Sequence, residues 1–202
     1  FKLPRRFSVM TFSNKKKKFL GAIFILSLFA LWLLFLYNFP PMEIVQFIGV
    51  NNGYLLTFFA SLLGGTSILI PFPYHLIIFT LASGGLNPFL LGIFAGTGIL
   101  IGDSTSYFIG YTGREIITGR LQLFFKRLYD WCLKKPKWVL PTFLYVYSSI
   151  IPTPNDLIIV PLGFARYPYT RVVIPLWLGA ITFNTLLAFA GVYGFEWVVS
   201  FF

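Results

Sequence analysis

Long apolar runs alternate with short polar segments along the whole chain. Nearly all charged residues lie between the runs, which cover residues 19–39, 54–83, 89–111, 138–165 and 172–193. A helix that spans a bilayer needs about 20 consecutive apolar residues, so runs of this length predict membrane segments. The pattern therefore indicates an all-α integral membrane protein.

Three of the runs have the length of one full transmembrane helix, namely 19–39, 89–111 and 172–193. The first follows a basic tail, residues 1–18, which we expect on the cytoplasmic side because lysine and arginine accumulate there. This first run is longer than the apolar core of a signal peptide, so we predict a retained transmembrane helix.

The runs 54–83 and 138–165 are too long for one span and too short for two. Turn-forming residues interrupt them near the middle: residues 64–67 (Gly-Gly-Thr-Ser), Pro71 and Pro73 in the first, Pro152 and Pro154 in the second. A proline inside a helix removes a backbone hydrogen bond and clashes with the preceding turn. We therefore predict two re-entrant hairpins with arms of about 10 residues, each reaching half-way through the hydrocarbon core.

Residues 114–137 are rich in lysine and arginine, and their apolar residues recur at roughly helical spacing. This composition is typical of an amphipathic helix that lies on the membrane surface. We predict such a helix on the cytoplasmic face, with nucleic-acid binding as the alternative.

The basic segments also predict an orientation for every run. With the N-terminus inside, the first hairpin enters from the outside and the second from the inside. The predicted fold thus has two oppositely oriented re-entrant hairpins, about three full transmembrane helices and one amphipathic cytoplasmic helix.

The two predicted hairpin tips are similar in sequence. One is IPFPYHLII, residues 70–78, and the other is IPTPNDLII, residues 151–159, with six of nine positions identical. Chance similarity between apolar segments is the alternative, but the shared proline pair argues against it. Broken segments at matching positions of two halves indicate an inverted repeat and a transport site near the membrane midplane.

Composition agrees with a membrane protein, because 57% of the 202 residues are hydrophobic and 11% are charged. The single cysteine excludes an internal disulfide, and the single histidine excludes a multi-histidine metal centre. We predict no cofactor. The net charge of +10 lies mainly in segments that flank the apolar runs, which favours membrane anchoring over nucleic-acid binding.

Three ionisable residues fall at membrane depth: His75, Asp103 and Asp156. Such residues normally face a protein interior or a water-filled path, so we predict a transport or proton-relay role for them. Because His75 and Asp156 occupy equivalent tip positions, we expect them to meet where the tips meet. Asn155, beside Asp156, joins this candidate site.

Each of these residues also has a structural interpretation. Asp156 can cap amides freed by Pro152 and Pro154, and His75 can be a satisfied interior group. Asp103 and Tyr107 are four residues apart, so they share a helix face and can hold the first tip or line a cavity.

Two arginines, Arg114 and Arg166, fall near the predicted inner interface. They are candidate headgroup contacts, and anchoring under the positive-inside rule is the alternative. No GxSxG, HExxH or phosphate-loop motif is present, so we do not predict an enzyme. An intramembrane hydrolase built from Ser148 or Ser149 with His75 and Asp156 remains a remote alternative.

The segment GDSTSYFIGYTGR contains Gly102, Asp103, Tyr107, Gly110, Gly113 and Arg114, and IPTPNDLIIVPLG ends at Gly163. These segments, in this order, resemble the signatures of the DedA superfamily, also called the VTT or SNARE-associated domain. The resemblance covers roughly residues 54–193. It implies two opposed re-entrant hairpins and lipid movement between leaflets, since the family includes phospholipid scramblases and transporters of the undecaprenyl phosphate carrier.

The tips depart from the pattern of the bacterial transporters in this family. Those members carry acidic residues on the first hairpin and two arginines on the second, whereas this chain has Tyr74 and His75, then Asn155 and Asp156. Arginine is the natural bidentate ligand of phosphate. We expect a transporter or scramblase for phospholipid or polyprenyl phosphate, with protons as candidate coupling ions. A small-solute transporter is the alternative.

Overall fold

The computed structural model describes residues 27, 31–32, 34–36, 38–66, 73–113, 119–151 and 155–199. These residues are helical apart from short connections, and no strand occurs among them. The chain divides into two units, residues 1–40 and 41–202. In the first unit, the described residues between 27 and 38 are helical, and the Asn38 side chain donates to the Leu34 carbonyl at 2.8 Å. Most of the predicted first span, and all of the basic tail 1–18, lie outside the described residues.

The second unit contains eight described helices. In chain order they are α1 Pro41–Ile48, α2 Val50–Thr66, α3 Tyr74–Ser83, α4 Pro88–Gly113, α5 Arg120–Lys134, α6 Val139–Ile150, α7 Asp156–Phe164 and α8 Tyr169–Val199. We call α2, α3 and α4 the first set, and α6, α7 and α8 the second set.

Two described helices, α4 and α8, are long and apolar enough to cross a membrane. A third crossing is available if α1 and α2, which bend by 97° at Gly49, count as one broken span. The predicted spans 89–111 and 172–193 correspond to these two helices. The structure extends the second of them at both ends, from Tyr169 to Val199.

Of the pair α2 and α3, helix α3 has the predicted arm length with 10 residues, whereas α2 is longer than predicted. Helix α2 begins at Val50 and has 17 residues, so it is about 25 Å long at 1.5 Å per residue. The helix continues through Gly64 and Gly65 and ends at Thr66, inside the predicted break, and residues 67–72 lie outside the described residues. Helix α4 packs on this glycine face: a Cβ at Gly65 would lie 3.1 Å from the Ile99 Cα. The small residues serve close packing there.

The pair α6 and α7 is closer to the prediction, with 12 and 9 residues. The two helices are separated by residues 151–155, of which Ile151 and Asn155 are described. Pro73 immediately precedes α3, a place where the missing N–H of proline costs little. Pro71, Pro152 and Pro154 lie outside the described residues.

The two sets pack in a reciprocal way around α4 and α8, which contact each other. In each set the first helix packs on the long helix of its own set, α2 on α4 and α6 on α8. The second helix packs mainly on the long helix of the other set, α3 on α8 and α7 on α4. The shortest helix of each set, α3 or α7, therefore packs against the long helix of the other set.

The close contacts within this framework recur at the same sequence spacing. Gly110 on α4 lies against the Val160 carbonyl of α7, and Gly191 on α8 lies against the Phe79 carbonyl of α3. Both the glycines and their partners are 81 positions apart in the chain. A glycine lets two helix backbones approach closely, so the two crossings use one packing device.

The turns that precede α4 and α8 are also alike. In the first, the Gly85 and Leu86 amides donate to the Ala82 and Leu81 carbonyls. In the second, the amides of Arg166 and Tyr167 donate to the carbonyls of Gly163 and Leu162, again 81 positions later. This is the helix-ending pattern that requires a left-handed residue, here Gly85 at φ 96° and Arg166 at φ 55°.

Helix α5 covers the central part of the predicted amphipathic segment 114–137. Phe125 stacks on Phe164 of α7, and Cys132 is buried, which raises the pKa of its thiol by desolvation. Leu123, Phe124 and Trp131 are exposed on the other side, where Lys135 lies 5.6 Å from the Trp131 ring. A helix with one packed side and an exposed apolar and basic side fits the amphipathic prediction.

Candidate functional site

A cluster of polar side chains lies where the short helices α3 and α7 meet the long helices α4 and α8. We call it the polar cluster, and it consists of Tyr74, Asp103, Ser106, Asn155, Asp156 and Asn184. Asp103, Ser106 and Asn184 are at most 2% exposed, and Asp156 is 8% exposed. Two carboxyl groups buried in a largely apolar helical protein are costly, so this cluster is the first candidate for a functional site.

The α7 side of the cluster is built around Asp103. The Asn155 side chain, just before α7, donates a hydrogen bond of 2.8 Å to Asp103 Oδ2. This bond joins the start of α7 to the middle of α4, across the crossing that Gly110 makes close. The hydrogen bond ties Asp103 to the second tip, because α7 packs closely on α4. A role of Asp103 in holding the first tip stays a prediction; Tyr74 of α3 interacts with Asp103 electrostatically.

Asp156 is the first residue of α7 and lies beside Asp103 and Ser106. The two carboxyl groups are near enough to interact electrostatically, and the Ser106 side chain lies near Asp156. The Asp156 Oδ1 atom, however, is buried and has no hydrogen-bond partner among the described residues. The interpretation of Asp156 as a cap depends on the tip residues 152–154, where only Thr153 has a backbone N–H, and these lie outside the described residues.

The α3 side of the cluster is built around Asn184 of α8. The Tyr74 hydroxyl lies next to the Asn184 side chain and also interacts with Asp103. Asn184 donates to the Ala180 carbonyl of its own helix at 2.7 Å, and its buried Oδ1 has no partner in the described part of the chain. Asn184 and Asn155 stand 81 positions after Asp103 and Tyr74, respectively, so the two sides of the cluster use equivalent positions.

His75 is partly buried beside the cluster in an aromatic environment. Its ring lies 3.9 Å from the Tyr74 ring, centroid to centroid, and edge-on to Phe183 at 5.6 Å. No hydrogen bond or ion pair joins His75 to Asp156 in the described structure, where α3 packs mainly on α8 and α7 on α4. The pairing of His75 with Asp156 stays a prediction.

Tyr107 shares the α7-facing side of α4 with Asp103, as their spacing predicts. Its hydroxyl donates to the Tyr167 carbonyl in the turn before α8, and its side chain is 3% exposed. Tyr107 therefore fixes the end of α7 relative to α4, and its hydroxyl is used by that turn rather than by the polar cluster.

The motif glycines are explained by helix packing. A Cβ at Gly102 would lie 2.5 Å from the Gly65 backbone of α2, and one at Gly113 would lie 2.9 Å from the Phe164 ring. Gly110 and Gly163 face each other where α4 crosses α7, with the Gly163 Cβ position against the Tyr107 carbonyl. These glycines hold the frame in which Asp103 reaches Asn155.

The predicted headgroup contacts are only partly covered by the structure. Arg114 lies outside the described residues. Arg166 is exposed in the turn before α8, and its guanidinium lies 4.8 Å from the Tyr111 ring centre. A headgroup contact at Arg166 stays a prediction, and the left-handed backbone of this residue is the feature that the sequence did not indicate.

The serines of the hydrolase alternative are engaged by backbone carbonyls. Ser148 donates to the Leu176 carbonyl at 3.0 Å, and Ser149 donates to the Tyr145 carbonyl at 2.7 Å. Neither serine bonds to His75 in the described structure. Across the same residues, no group of three or more His, Cys, Asp or Glu side chains is placed to hold a metal ion.

Sequence reasoning did not assign Tyr74, Ser106 or Asn184 to the site. Asn184 had a usable signal, because it stands 81 positions after Asp103 and the tip repeat has the same spacing. Ser106 had a weaker one, since it follows Asp103 by three residues and shares its helix face.

The cluster offers carboxyl, amide and hydroxyl groups in otherwise apolar surroundings. Such a set can lower the cost of bringing a polar group into the hydrocarbon region, and it can bind a hydrogen-bond donor through its unpaired oxygens. No family model, curated protein or solved structure matches this chain.

Proposed function

We propose that this protein belongs to the DedA/VTT type of membrane protein and moves lipid between the two leaflets of a bilayer. The observation that carries the proposal is the buried polar cluster at the crossings of α3 with α8 and α7 with α4. Buried ionisable residues in a membrane domain mark substrate paths or proton relays. A lipid headgroup is the polar group that needs such a path.

The reciprocal packing supports an inverted repeat with two re-entrant hairpins. Helices α6 and α7 are only about 18 and 14 Å long, against about 30 Å for a hydrocarbon core. Each therefore reaches only part of the way through, and the contacts that recur at 81 positions relate the first set to the second. In transporters of this architecture the substrate site lies between the repeats near the midplane, and we assign the polar cluster to that position.

The proposed mechanism is a polar seam. The headgroup passes along the cluster, whose hydrogen bonds replace part of its hydration, while the acyl chains remain in the surrounding lipid. Exposed apolar residues on the outer sides of the helices fit this division; they include Phe108, Ile109, Phe143, Val146 and Leu186. The cargo in this proposal is phospholipid or polyprenyl phosphate.

Reconstitution into liposomes tests the proposal. Vesicles carry a phospholipid or a polyprenyl phosphate with a fluorophore on the chain, and externally added dithionite reports the fraction that reaches the outer leaflet. We expect Asp103→Ala to slow lipid movement at least tenfold, because it removes a buried carboxyl group and the link to Asn155. Repeating the assay with a pH gradient tests whether protons drive the movement.

Asp130→Asn is the matched control, since Asp130 is an exposed carboxylate on α5 away from the cluster. It should move lipid within about twofold of the wild-type rate. Equal rates for Asp103→Ala and the wild type would refute the site assignment. Absence of lipid movement by the wild-type protein would refute the proposed function and favour the small-solute transporter.

A further inference from the structure

We infer that the polar cluster binds a cationic hydrogen-bond donor, so that the favoured substrates are phospholipids whose headgroup carries an ammonium group. The inference deepens the proposed function and rests on it. The juxtaposition that carries it is two neighbouring carboxyl groups, Asp103 and Asp156, together with the unpaired buried oxygens of Asp156 and Asn184.

The polar cluster contains two acidic side chains and no basic one. Among the described residues, the two carboxyl groups interact with Asn155, Ser106, Tyr74 and each other, and none of these is a cation. Burying a carboxylate without a countercharge is unfavourable, and a bound cation offsets that cost. The missing charge is therefore a positive one.

The unpaired polar atoms of the cluster are acceptors, so the partners that they lack are hydrogen-bond donors. Asp156 Oδ1 and Asn184 Oδ1 are both acceptors, both are buried, and neither has a partner among the described residues. They belong to α7 and α8, and Tyr74 lies beside Asn184 and interacts electrostatically with Asp103. An ammonium group carries three N–H donors on a compact positive charge, so its chemistry matches acceptor oxygens beside carboxyl groups.

A phosphate group has the opposite chemistry. At neutral pH it offers oxygen acceptors and negative charge, and proteins usually bind it with arginine or lysine. Next to Asp103 and Asp156 it would meet like charge and leave the unpaired oxygens without donors. A lipid whose only polar group is a phosphate is thus disfavoured at the cluster, whereas a headgroup that leads with an ammonium group is favoured.

The decisive comparison uses two lipids that differ only in the amine. Phosphatidylethanolamine and N-acetylphosphatidylethanolamine, each with a fluorophore on the acyl chain, are assayed in the same reconstituted vesicles. We expect the wild-type protein to move the amine-bearing lipid about tenfold faster. Asp156→Asn and Asp103→Asn should each bring the ratio of the two rates close to 1, and Asp130→Asn should leave it unchanged.

A charge-adding variant keeps the test independent of loss of function. Asn184→Asp places a carboxyl group where the α3 side of the cluster now has an amide, so the preference for the amine should rise by a further severalfold. An unchanged or lower ratio for Asn184→Asp, or equal movement of both lipids by the wild type, would overturn the inference while leaving the proposed function intact.

If neither lipid moves, the proposed function is refuted. A binding measurement then tests whether the cluster recognises an ammonium group. The full chain in detergent is melted with a short-chain phosphatidylethanolamine, with its N-acetyl form, or with free ethanolamine. Stabilisation that needs the amine and is lost in Asp156→Asn supports the cationic site, since a ligand that binds only the folded state raises the melting temperature. An effect of free ethanolamine equal to that of the lipid identifies a small amine as the ligand. No amine-dependent shift would overturn the inference.

Discussion

The crossing of α7 on α4 and the crossing of α3 on α8 have the same packing but different chemistry. Both rest on a glycine against a backbone carbonyl, and both end in the same type of turn. The α7 crossing carries two carboxyl groups, one of which, Asp103, accepts a hydrogen bond from Asn155, whereas the α3 crossing carries an amide, a phenol and an imidazole. The shared frame sets where polar groups lie, and the side chains decide what each crossing binds.

The largest expected effect tests whether the two crossings share their packing device. Gly110→Ala would drive a methyl group into the Val160 carbonyl, and Gly191→Ala would place one 2.7 Å from the Phe79 carbonyl. Backbone atoms cannot move aside cheaply, so each change should destabilise the protein by about 1–3 kcal/mol. Thermal unfolding in detergent measures the loss.

Gly194→Ala is the control for this prediction, because a Cβ there would meet its nearest neighbour, the Phe79 ring, at an ordinary 3.7 Å. Its melting temperature should stay near the wild-type value. If only one of the crossing glycines is sensitive, the equivalence of the two crossings is wrong.

A smaller effect distinguishes the two polar contacts. In a double-mutant cycle, Asp103→Ala and Asn155→Ala should couple by about 1–2 kcal/mol, as expected for a buried hydrogen bond to a carboxyl group. Tyr74→Phe and Asn184→Ala should couple by about 0.5 kcal/mol, since that contact is between neutral groups and leaves the Asn184 oxygen unpaired. Equal coupling energies in both cycles would show that the Asp103–Asn155 contact is no stronger than the Tyr74–Asn184 contact.

A third effect concerns the turn beyond the α7 crossing. Tyr107→Phe removes the hydroxyl that donates to the Tyr167 carbonyl, and should cost about 1 kcal/mol because that carbonyl is then left without this donor in a buried place. Lipid movement should keep its preference between headgroups, since the Tyr107 hydroxyl serves the turn. A changed preference would place Tyr107 in the polar cluster instead.

Much of the fold follows from the lengths of the apolar runs. The runs 89–111 and 172–193 predicted α4 and α8 because only a helix of this length satisfies its own backbone in lipid. The first arm was underestimated at both ends, since α2 begins at Val50 instead of Tyr54 and continues through Gly64 and Gly65 to Thr66. At the second end, a glycine pair looks the same in the sequence whether it forms a turn or a tight helix contact. Only the position of α4, with Ile99 and Gly102 against Gly65, separates the two cases.

The site was predictable in part for a related reason. Asp103, Asn155 and Asp156 were found because a polar group in an apolar run is informative by itself. Their contact partners could not be predicted from the sequence. His75 and Asp156 occupy equivalent positions in the sequence, but α3 packs mainly on α8 whereas α7 packs mainly on α4. Asn184 needed the 81-residue spacing to be extended from the tips to the long helices.

The smallest expected effect lies in the two left-handed turn residues. Gly85→Ala should cost about 1 kcal/mol, because φ 96° strains any residue with a Cβ. Arg166→Gly should gain a few tenths of a kcal/mol, since relief of strain at φ 55° is partly offset by loss of the contact with the Tyr111 ring. Melting temperatures of both variants check the signs. A lower melting temperature for Gly85→Ala and a higher one for Arg166→Gly would support the same type of turn at both positions. Destabilisation by Arg166→Gly would mean that the Arg166 side chain stabilises its turn by more than the backbone strain costs.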